Sequence, residues 1–291
     1  MTPSEQRQPE ASPPDPLIRV VDLVKRFDSR AVLDGINLEV YPGETMVIMG
    51  GSGCGKSTLL RCMIGSYTPE EGRIEMFGRD LARLDEEHLD AVRRRFGILF
   101  QSGALFNSMT VGENVALPLI EHTDLDRDTI DIMVKIKLEL VSLRPAENRM
   151  PAEISGGMKK RAGLARAIAL DPEILFYDEP SAGLDPVTSA EIDQLIIDLT
   201  RKLGVTSVVV THEMDSAFRI ADRMAMLDKG RMLKIATRQE FQTIRDGPQT
   251  GDENIDLIRQ FLRGESEGPI TQRRLGSGYA EDILSTAAGE G

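Results

Sequence analysis

Four glycines in six residues, Gly50, Gly51, Gly53 and Gly55, run directly into Lys56, Ser57 and Thr58. Glycine tolerates φ > 0 and leaves its N–H uncovered, so the amides of Gly50, Gly51, Ser52, Gly53, Cys54 and Gly55 can converge on one anion. The spacing fits G-x-x-x-x-G-K-[ST], which specifies nucleotide phosphate: Lys56 reaches the β- and γ-phosphates, and the Ser57 hydroxyl ligates Mg²⁺. A glycine-rich strand-to-helix turn is the plainer account, but it has no use for Lys56 and Ser57 together. The motif also requires a strand before it and a helix after it. Met46-Val47-Ile48-Met49 supplies the first, and Thr58, Leu59, Leu60, Met63 and Ile64 the second.

Phosphate binding alone suits a switch, a kinase or a motor; hydrolysis also needs a metal ligand and a base. Ile174-Leu175-Phe176-Tyr177 reads as a buried parallel strand ending in Asp178-Glu179-Pro180. Adjacent carboxylates at the carboxyl end of such a strand lie where open α/β sheets bind ligands. There Asp178 can hold Mg²⁺, directly or through water, and Glu179 can orient and deprotonate an attacking water. In isolation Asp-Glu-Pro could be an acidic strand-end turn; the phosphate loop upstream weighs against that. His212 follows the strand Ser207 to Thr211, projects from the same edge, and can donate a hydrogen bond to a γ-phosphate oxygen. His88 and His122 sit in polar context and read as structural. A second pair of bare glycines, Gly156 and Gly157 behind Ser155, opens a helix expected over Met158 to Leu170. Serine and bare glycines at a helix start make a second anion site, although taken alone they are ordinary capping.

An α/β fold is needed to position these groups. Ile18-Val20 and Ile36, Leu38, Val40 flank a turn around Asp28-Ser29, which predicts antiparallel strands. A further strand pair, near Gly72 to Phe77 and Gly97 to Phe100, brackets a charged helical stretch, Asp85 to Arg95. From Gln101 to about Ala152 the pattern is mainly helical, with loops at Pro118, Pro145 and Pro151, and reads as an inserted helical subdomain. Alternation then resumes, with Val205 to Thr211 as another central strand and a helix over Ser189 to Leu203. Beyond Arg238 glycine and charge dominate, apart from one amphipathic segment, Ile255, Ile258, Phe261, Leu262. No internal repeat is present, so the chain is one nucleotide-binding unit.

With 291 residues, 41% of them hydrophobic, the chain can bury a substantial core. Its net charge of −12 disfavours non-specific nucleic-acid binding. The basic clusters Arg93-Arg94-Arg95 and Lys159-Lys160-Arg161 read as solvated helix faces. The two cysteines, Cys54 and Cys62, offer neither a disulfide framework nor a metal site, which fits a reducing compartment. No apolar run approaches the ~20 residues of a membrane span. Residues 1–16 carry five prolines and read as a disordered leader. The chain is therefore expected to be neither secreted nor membrane-spanning by itself.

On these residues the chain resembles the ATP-binding-cassette family over about Leu17 to Phe241. The matching stretches are the phosphate loop, Gln101 after a strand, Ile154-Ser155-Gly156-Gly157-Met158, Asp178-Glu179, Ser181-Ala182-Gly183-Leu184-Asp185 and His212, in the family's order. The resemblance implies a P-loop NTPase of the ABC ATPase fold, with a RecA-like core, an antiparallel β-subdomain and an inserted helical subdomain of about residues 101–165. The nucleotide-binding domain would cover 17–246, followed by a C-terminal extension, 247–291. It further implies a head-to-tail homodimer, in which ATP on one phosphate loop is closed over by Ser155 and Gly157 of the partner. Phe27 would stack on adenine, Gln101 would join the Mg²⁺ and water shell, and Asp185 would couple the two sites.

Met158 departs from the general pattern, in which glutamine commonly follows the two glycines; the backbone amides remain. Together with Gln101-Ser102-Gly103-Ala104-Leu105-Phe106 and Gly157-Met158-Lys159-Lys160-Arg161, it is similar to a narrower group, the ATPases of Mla/Mce-type bacterial phospholipid transporters. That similarity implies a peripheral place on the cytoplasmic face of the bacterial inner membrane. It also implies an integral-membrane permease, an MCE-domain lipid-binding protein and, in some members, a small STAS-domain protein as partners. Leu105, Phe106, Met109 and Val111 are candidates to touch the permease, with burial in the subdomain's own core as the equal alternative. An ABC importer of another solute is the main rival. A soluble cassette ATPase acting on nucleic acid would be expected to carry coiled-coil heptads or cysteine clusters, which this sequence lacks, and a P-loop kinase would leave Glu179 and the Ser155-Gly156-Gly157 helix without a task.

Overall fold

The computed structural model describes residues 15–28 and 30–271. Most of the expected leader, Ser29 of the expected first turn, and the end of the C-terminal extension therefore lie outside the described residues. The chain begins with β1 (Ile18–Phe27) and β2 (Arg30–Val40), a hairpin running from Ile18 opposite Val40 to Phe27 opposite Arg30, as the alternating pattern predicts. β3 (Thr45–Met49) then leads into α1 (Lys56–Met63). The short strands β4 (Glu71–Met76) and β5 (Arg79–Asp80) complete a four-stranded antiparallel sheet in the order β2-β1-β4-β5.

After α2 (Glu86–Arg93) and β6 (Phe96–Leu99) come α3 (Val111–His122), α4 (Arg127–Leu140) and α5 (Gly156–Ala167). β7 (Ile174–Asp178), α6 (Pro186–Leu203), β8 (Thr206–Thr211), α7 (Met214–Ile220), β9 (Arg223–Asp228) and β10 (Arg231–Thr237) follow, and the described chain closes with α8 (Arg238–Asp246) and α9 (Glu253–Arg263). The second sheet has the order β10-β9-β3-β8-β7-β6, with only β10 antiparallel. The expected strand pair near residues 72–77 and 97–100 is thus not a pair: β4 joins the antiparallel sheet through β1 and β6 the parallel sheet through β7. β4 alternates charged residues with Ile74 and Met76, as suits a strand with one wet face, whereas β6, Phe96-Gly97-Ile98-Leu99, carries no charge and suits a covered parallel strand.

The central strands read as continuous apolar runs because both faces are covered. All five residues of β3 are buried. Alternate side chains enter opposite cores: Val47, Tyr177, Val209 and Met226 face the one shared with the helical block, Ile48, Phe176, Val208 and Ala225 the one beneath the antiparallel sheet and α1. In the helical block, Thr110 and Glu113 form a capping box at the start of α3. Asn114 is fully buried and satisfied by the backbone at Phe106, Met109 and Thr110, which pins the preceding loop to the helix. Val111, a candidate for permease contact, is instead core, whereas Phe106 is half exposed.

Three helices differ from the expected pattern. α5 starts at Gly156 and ends at Ala167, because Ser155 caps it and the glycines enter the first turn. α6 starts at Pro186, three residues before Ser189, because Asp185 accepts hydrogen bonds from Val187 and Thr188 and proline suits the first helical position. α8 has no counterpart in the sequence pattern: its residues are mostly charged or polar, and a Thr237–Glu240 capping box with one buried residue, Phe241, specifies it. Phe241 shares its core with Leu257, Ile258 and Leu262 of α9.

Gly97 of β6 lies where α5 ends: a Cβ there would stand 2.1 Å from the Ala167 carbonyl oxygen. Gly97→Ala is expected to destabilise the fold by about 1–3 kcal/mol, read as a lower urea midpoint; an unchanged midpoint would refute the close approach.

Candidate functional site

The carboxyl ends of β3, β8 and β7 meet at one edge: Met49 is in register with Thr211, and Val210 with both Ile48 and Asp178. This edge carries the phosphate loop, His212 and the Asp178-Glu179 pair together, at the place where parallel sheets bind ligands. Two glycines of the loop are fixed by close packing. A Cβ at Gly50 would lie 2.1 Å from the Leu227 carbonyl oxygen, and one at Gly55 would lie 2.9 Å from that of Val32, with φ at +155° and +113°. Gly55 is also the cap residue of α1, where no side chain accepts from the first-turn amides and no acidic residue sits in that turn. The amino end of α1 is thus a set of uncovered N–H donors at the positive end of a helix dipole. Lys56 is buried, and its ammonium donates to the Gly50 and Gly51 carbonyls at 2.8 and 3.0 Å, folded over the loop it belongs to.

Ser57 Oγ donates to Asp178 Oδ1 at 3.3 Å, so the structure brings two of the three expected metal ligands together. Burial pushes the Asp178 carboxyl above its ordinary range, against the Ser57 hydrogen bond, with Glu179 adding to the rise. A carboxylate that burial disfavours, beside a hydroxyl, is what a divalent cation would relieve. Among the described residues no group of three or more His, Cys, Asp or Glu is placed to hold a metal. Mg²⁺ bound through substrate phosphates needs only one or two carboxylates, so these residues fit it.

Glu179 follows the strand in a left-handed conformation, φ +50°, which costs a non-glycine residue roughly 1–2 kcal/mol. Its carboxylate Oε2 lies 2.9 Å from His212 Nδ1 and accepts from the His212 backbone N–H at 3.3 Å. The Glu179 carboxylate is 12% exposed and the imidazole 57%, so the pair has an inner acid and an outer ring. Gln101 is exposed in the turn after β6, the strand next to β7. Phe27, 41% exposed at the end of β1, meets Tyr67 edge-on at 5.4 Å and has Lys25 5.3 Å from its ring centre. Its exposed part is the surface on which a planar base would stack.

Ser155, Gly156 and Gly157 are not brought against this edge. Ser155 Oγ accepts from the Met158 N–H at 3.3 Å and, with Gly157, lines a recess of about 400 Å³ also formed by Arg149, Met158, Arg161 and Thr188, with none of residues 50–58. Gly157 is required there because its Cβ would stand 2.5 Å from the Thr188 methyl. Asp185 accepts from Thr188 Oγ1 at 2.5 Å as well as from the α6 amides, and these bonds hold its carboxyl below the ordinary range. The two helix starts that the sequence marks as candidate anion sites, those of α1 and α5, are therefore separated within one chain.

Lys160 overturns an expectation. Read as part of a solvated basic face, it is instead 4% exposed and donates to three carbonyls of the loop that follows β7. A charge run hides this, since Lys159 and Arg161 beside it do reach the surface; the available signal is that Lys160 falls three residues after Gly157 and four before Leu164, on the packed side of the helix.

The model of the ABC transporter family matches residues 33–182. The chain is 40% identical over 268 residues to the intermembrane phospholipid transport system ATP-binding protein MlaF of Haemophilus influenzae, covering 92% of this chain and 98% of that protein. To the protein of the same name in Escherichia coli (strain K12) it is 42% identical, covering 92% and 96%. To a probable ribonucleotide transport ATP-binding protein, mkl, of Mycobacterium tuberculosis it is also 42% identical, covering 90% and 72%. Among solved structures, cbiO1 from Clostridium perfringens, part of the ABC transporter complex cbiONQ, is similar with a TM-score of 0.74 and 28% identity, covering 80% of this chain and 94% of that one. The dimeric post-hydrolysis state of the ATP-binding cassette MJ0796, bound to ADP and Pi, is similar with a TM-score of 0.70 and 30% identity, covering 76% and 98%.

Burial also governs the two thiols. Cys62 is pushed up to about 11 and Cys54, inside the phosphate loop, is raised too. At pH 8 the Cys62 thiol should be almost wholly protonated, so its alkylation in the folded protein is expected to run roughly a hundredfold slower than in denaturant. Equal rates in the two conditions, followed by mass spectrometry, would contradict this.

Proposed function

The chain belongs to the ABC transporter family as an ATP-binding, ATP-hydrolysing cassette of the MlaF/Mkl type, and from that premise we propose that it drives phospholipid transport between bacterial membranes. The observation that carries the hydrolytic part is the edge where Asp178 meets Ser57 and Glu179 meets His212 beside the phosphate loop. The loop amides of residues 50–55, Lys56, Ser57 and Thr58 hold the triphosphate, and Phe27 stacks on the adenine. Lys56 exchanges its two loop carbonyls for the β- and γ-phosphates, a swap of neutral for charge-assisted hydrogen bonds. Mg²⁺, held by Ser57, Asp178 and the Gln101 shell, would neutralise charge on the β- and γ-oxygens. Glu179 orients the attacking water and takes its proton, and His212 reports the γ-phosphate while steering the Glu179 carboxylate.

Ser155, Gly156 and Gly157 act on the nucleotide of a second copy, with Asp185 linking the two sites. In support, Ser155 faces away from the phosphate loop of its own chain, and the similar cassette MJ0796 is dimeric in its solved structure. ATP bridges two copies better than ADP does, so closure lasts only while the γ-phosphate remains. The membrane partner is a permease that supplies the membrane spans; no helix among the described residues is long and apolar enough to cross a membrane. Its docking place is the groove of about 600 Å³ lined by Phe96, Phe100, Phe106, Pro118 and Arg166. An MCE-domain lipid-binding protein and, as in some members of the group, a small STAS-domain protein complete the assembly, with this chain at the cytoplasmic face of the inner membrane.

The relatives' names differ on cargo, phospholipid for MlaF and ribonucleotide for mkl. Phospholipid is favoured because the MlaF proteins are matched almost end to end, whereas mkl is matched over 72% of its length. Affinity purification from native membranes is expected to bring a permease with bound phospholipid; a solute-binding protein loaded with nucleotide would favour the other cargo. Glu179→Gln is expected to lower ATP turnover by about 10²–10³-fold while retaining ATP-dependent dimerisation by size-exclusion chromatography. Turnover at the unmodified rate would remove Glu179 as the base.

A further inference from the structure

Lys160 has no task in the chemistry described so far, yet it is one of the few charged side chains the fold buries. It lies on α5, one turn after Gly156, and its ammonium donates to the carbonyl oxygens of Glu179 at 3.2 Å, Pro180 at 2.5 Å and Ala182 at 2.9 Å. Three donors therefore meet three acceptors, the full capacity of an ammonium group. The acceptors belong to one tight turn, closed by the Ala182 N–H to the Glu179 carbonyl at 3.2 Å and anchored by the Glu179 N–H to Val210 at 2.9 Å. Glu179, at φ +50°, is the residue in that turn whose backbone would relax if released. A strained conformation persists only where its surroundings over-determine it, and here the surroundings are Val210, Ala182 and Lys160.

Burying a cation among neutral carbonyls is costly compared with an apolar side chain of similar length, so stability gives little reason for a lysine. Geometry gives one: an ammonium sets three carbonyls at fixed distances from one point, which methyl groups cannot do. The same helix begins at Ser155, and a Cβ on Gly156 would stand 3.6 Å from a Leu184 methyl, so α5 touches this loop at its start as well as through Lys160.

We propose that Lys160 is the positioning residue for Glu179: by clamping the backbone of the 179–182 turn it aims the carboxylate at the attacking water and ties that aim to the helix that carries Ser155. This rests on the assignment of Glu179 as the base. Lys160 touches no substrate; it acts through the turn alone.

The test compares Lys160→Met, Lys160→Arg and Glu179→Gln, singly and as Lys160→Met with Glu179→Gln, in the full-length chain. Lys160→Met is expected to lower kcat for ATP by roughly 10–100-fold, with KM for ATP changed less than about threefold, because a displacement of about an ångström at a reacting group is enough for such a loss. Lys160→Arg, which keeps the charge and the donors, should recover most of kcat. In single-turnover measurements Lys160→Met should cost nothing further once Glu179 is Gln, since two residues acting as a unit are not additive. A normal kcat in Lys160→Met, or a full additional loss on top of Glu179→Gln, would overturn the proposal while leaving Glu179 as base. An unimpaired Glu179→Gln would instead remove the assignment beneath it.

Discussion

Anion binding at an uncovered helix start is the interaction on which the arrangement depends. The phosphate loop can present its amides only if β3 and α1 are held at a fixed angle, and the packing that holds them is main-chain packing: Gly50 against the Leu227 carbonyl, Gly55 against the Val32 carbonyl. Neither position tolerates a side chain, so the loop is set by β9 and β2 as much as by its own sequence. β3 is hydrogen-bonded in register on both sides, to β8 and β9. Adjacent strands lie about 4.8 Å apart, which puts β7 roughly 10 Å from β3 across β8. Ser57, on α1, closes that distance to within 3.3 Å of Asp178. The spacing of a parallel sheet thus sets the distance between the phosphate grip and the acidic pair before any rotamer is chosen.

The other half of the design is α5. Its small residues let loops lie directly on it: Gly163 has the Gly103 carbonyl 2.8 Å from where a Cβ would be, and Gly103 in turn lies 2.9 Å, by the same measure, from the Lys159 carbonyl. Arg166 donates to the carbonyls of Ala104 and Gly103 at 2.9 and 3.2 Å. One helix therefore carries Ser155 at its start, holds the turn containing Glu179 through Lys160, and backs the loop containing Gln101. Close-packed interiors shift as units more readily than they deform. A displacement of α5 would move three candidate site elements together.

How far the sequence discloses this follows from the kind of signal each element leaves. The phosphate loop, the acidic pair and His212 are legible because their chemistry demands particular residue types at fixed intervals, and the buried strands because apolar runs such as Val208-Val209-Val210 have no other use. Fold class follows from the alternation of such runs with helices. Partner choice between sheets leaves only a faint trace: β4 carries Glu71, Arg73 and Glu75 on one face and β6 no charge, but strands of six and four residues are too short for that contrast to settle the pairing. α8 is invisible because nine residues with a single buried apolar side chain, Phe241, give no periodicity to read. Lys160 misleads for the opposite reason, since charge is normally a reliable mark of solvent and a buried lysine looks the same in sequence as an exposed one. Val111 is undecidable between core and surface until the capping box at Thr110 fixes the phase of α3.

The two anion-binding geometries explain why a chain of this kind should work in pairs. The edge with Lys56, Asp178 and Glu179 offers donors from one side only, and a triphosphate lying there keeps much of its charge in water. The recess at Ser155 offers another helix start, with Arg149 and Arg161 in its lining, and its one lining carboxylate, Glu191, is paired with Arg161. Neither alone encloses a nucleotide, and each supplies what the other lacks. In the proposed head-to-tail pair, a second copy related by a twofold axis would bring one of each to both nucleotide sites, so the symmetry would close with two complete sites and no unsatisfied half. Desolvating the γ-phosphate between two such sets of donors would strengthen every contact to it, and hydrolysis would remove the group that both sets share in the proposed pair. The work available to a membrane partner is therefore bounded by the difference in affinity of the closed pair for ATP and for its products.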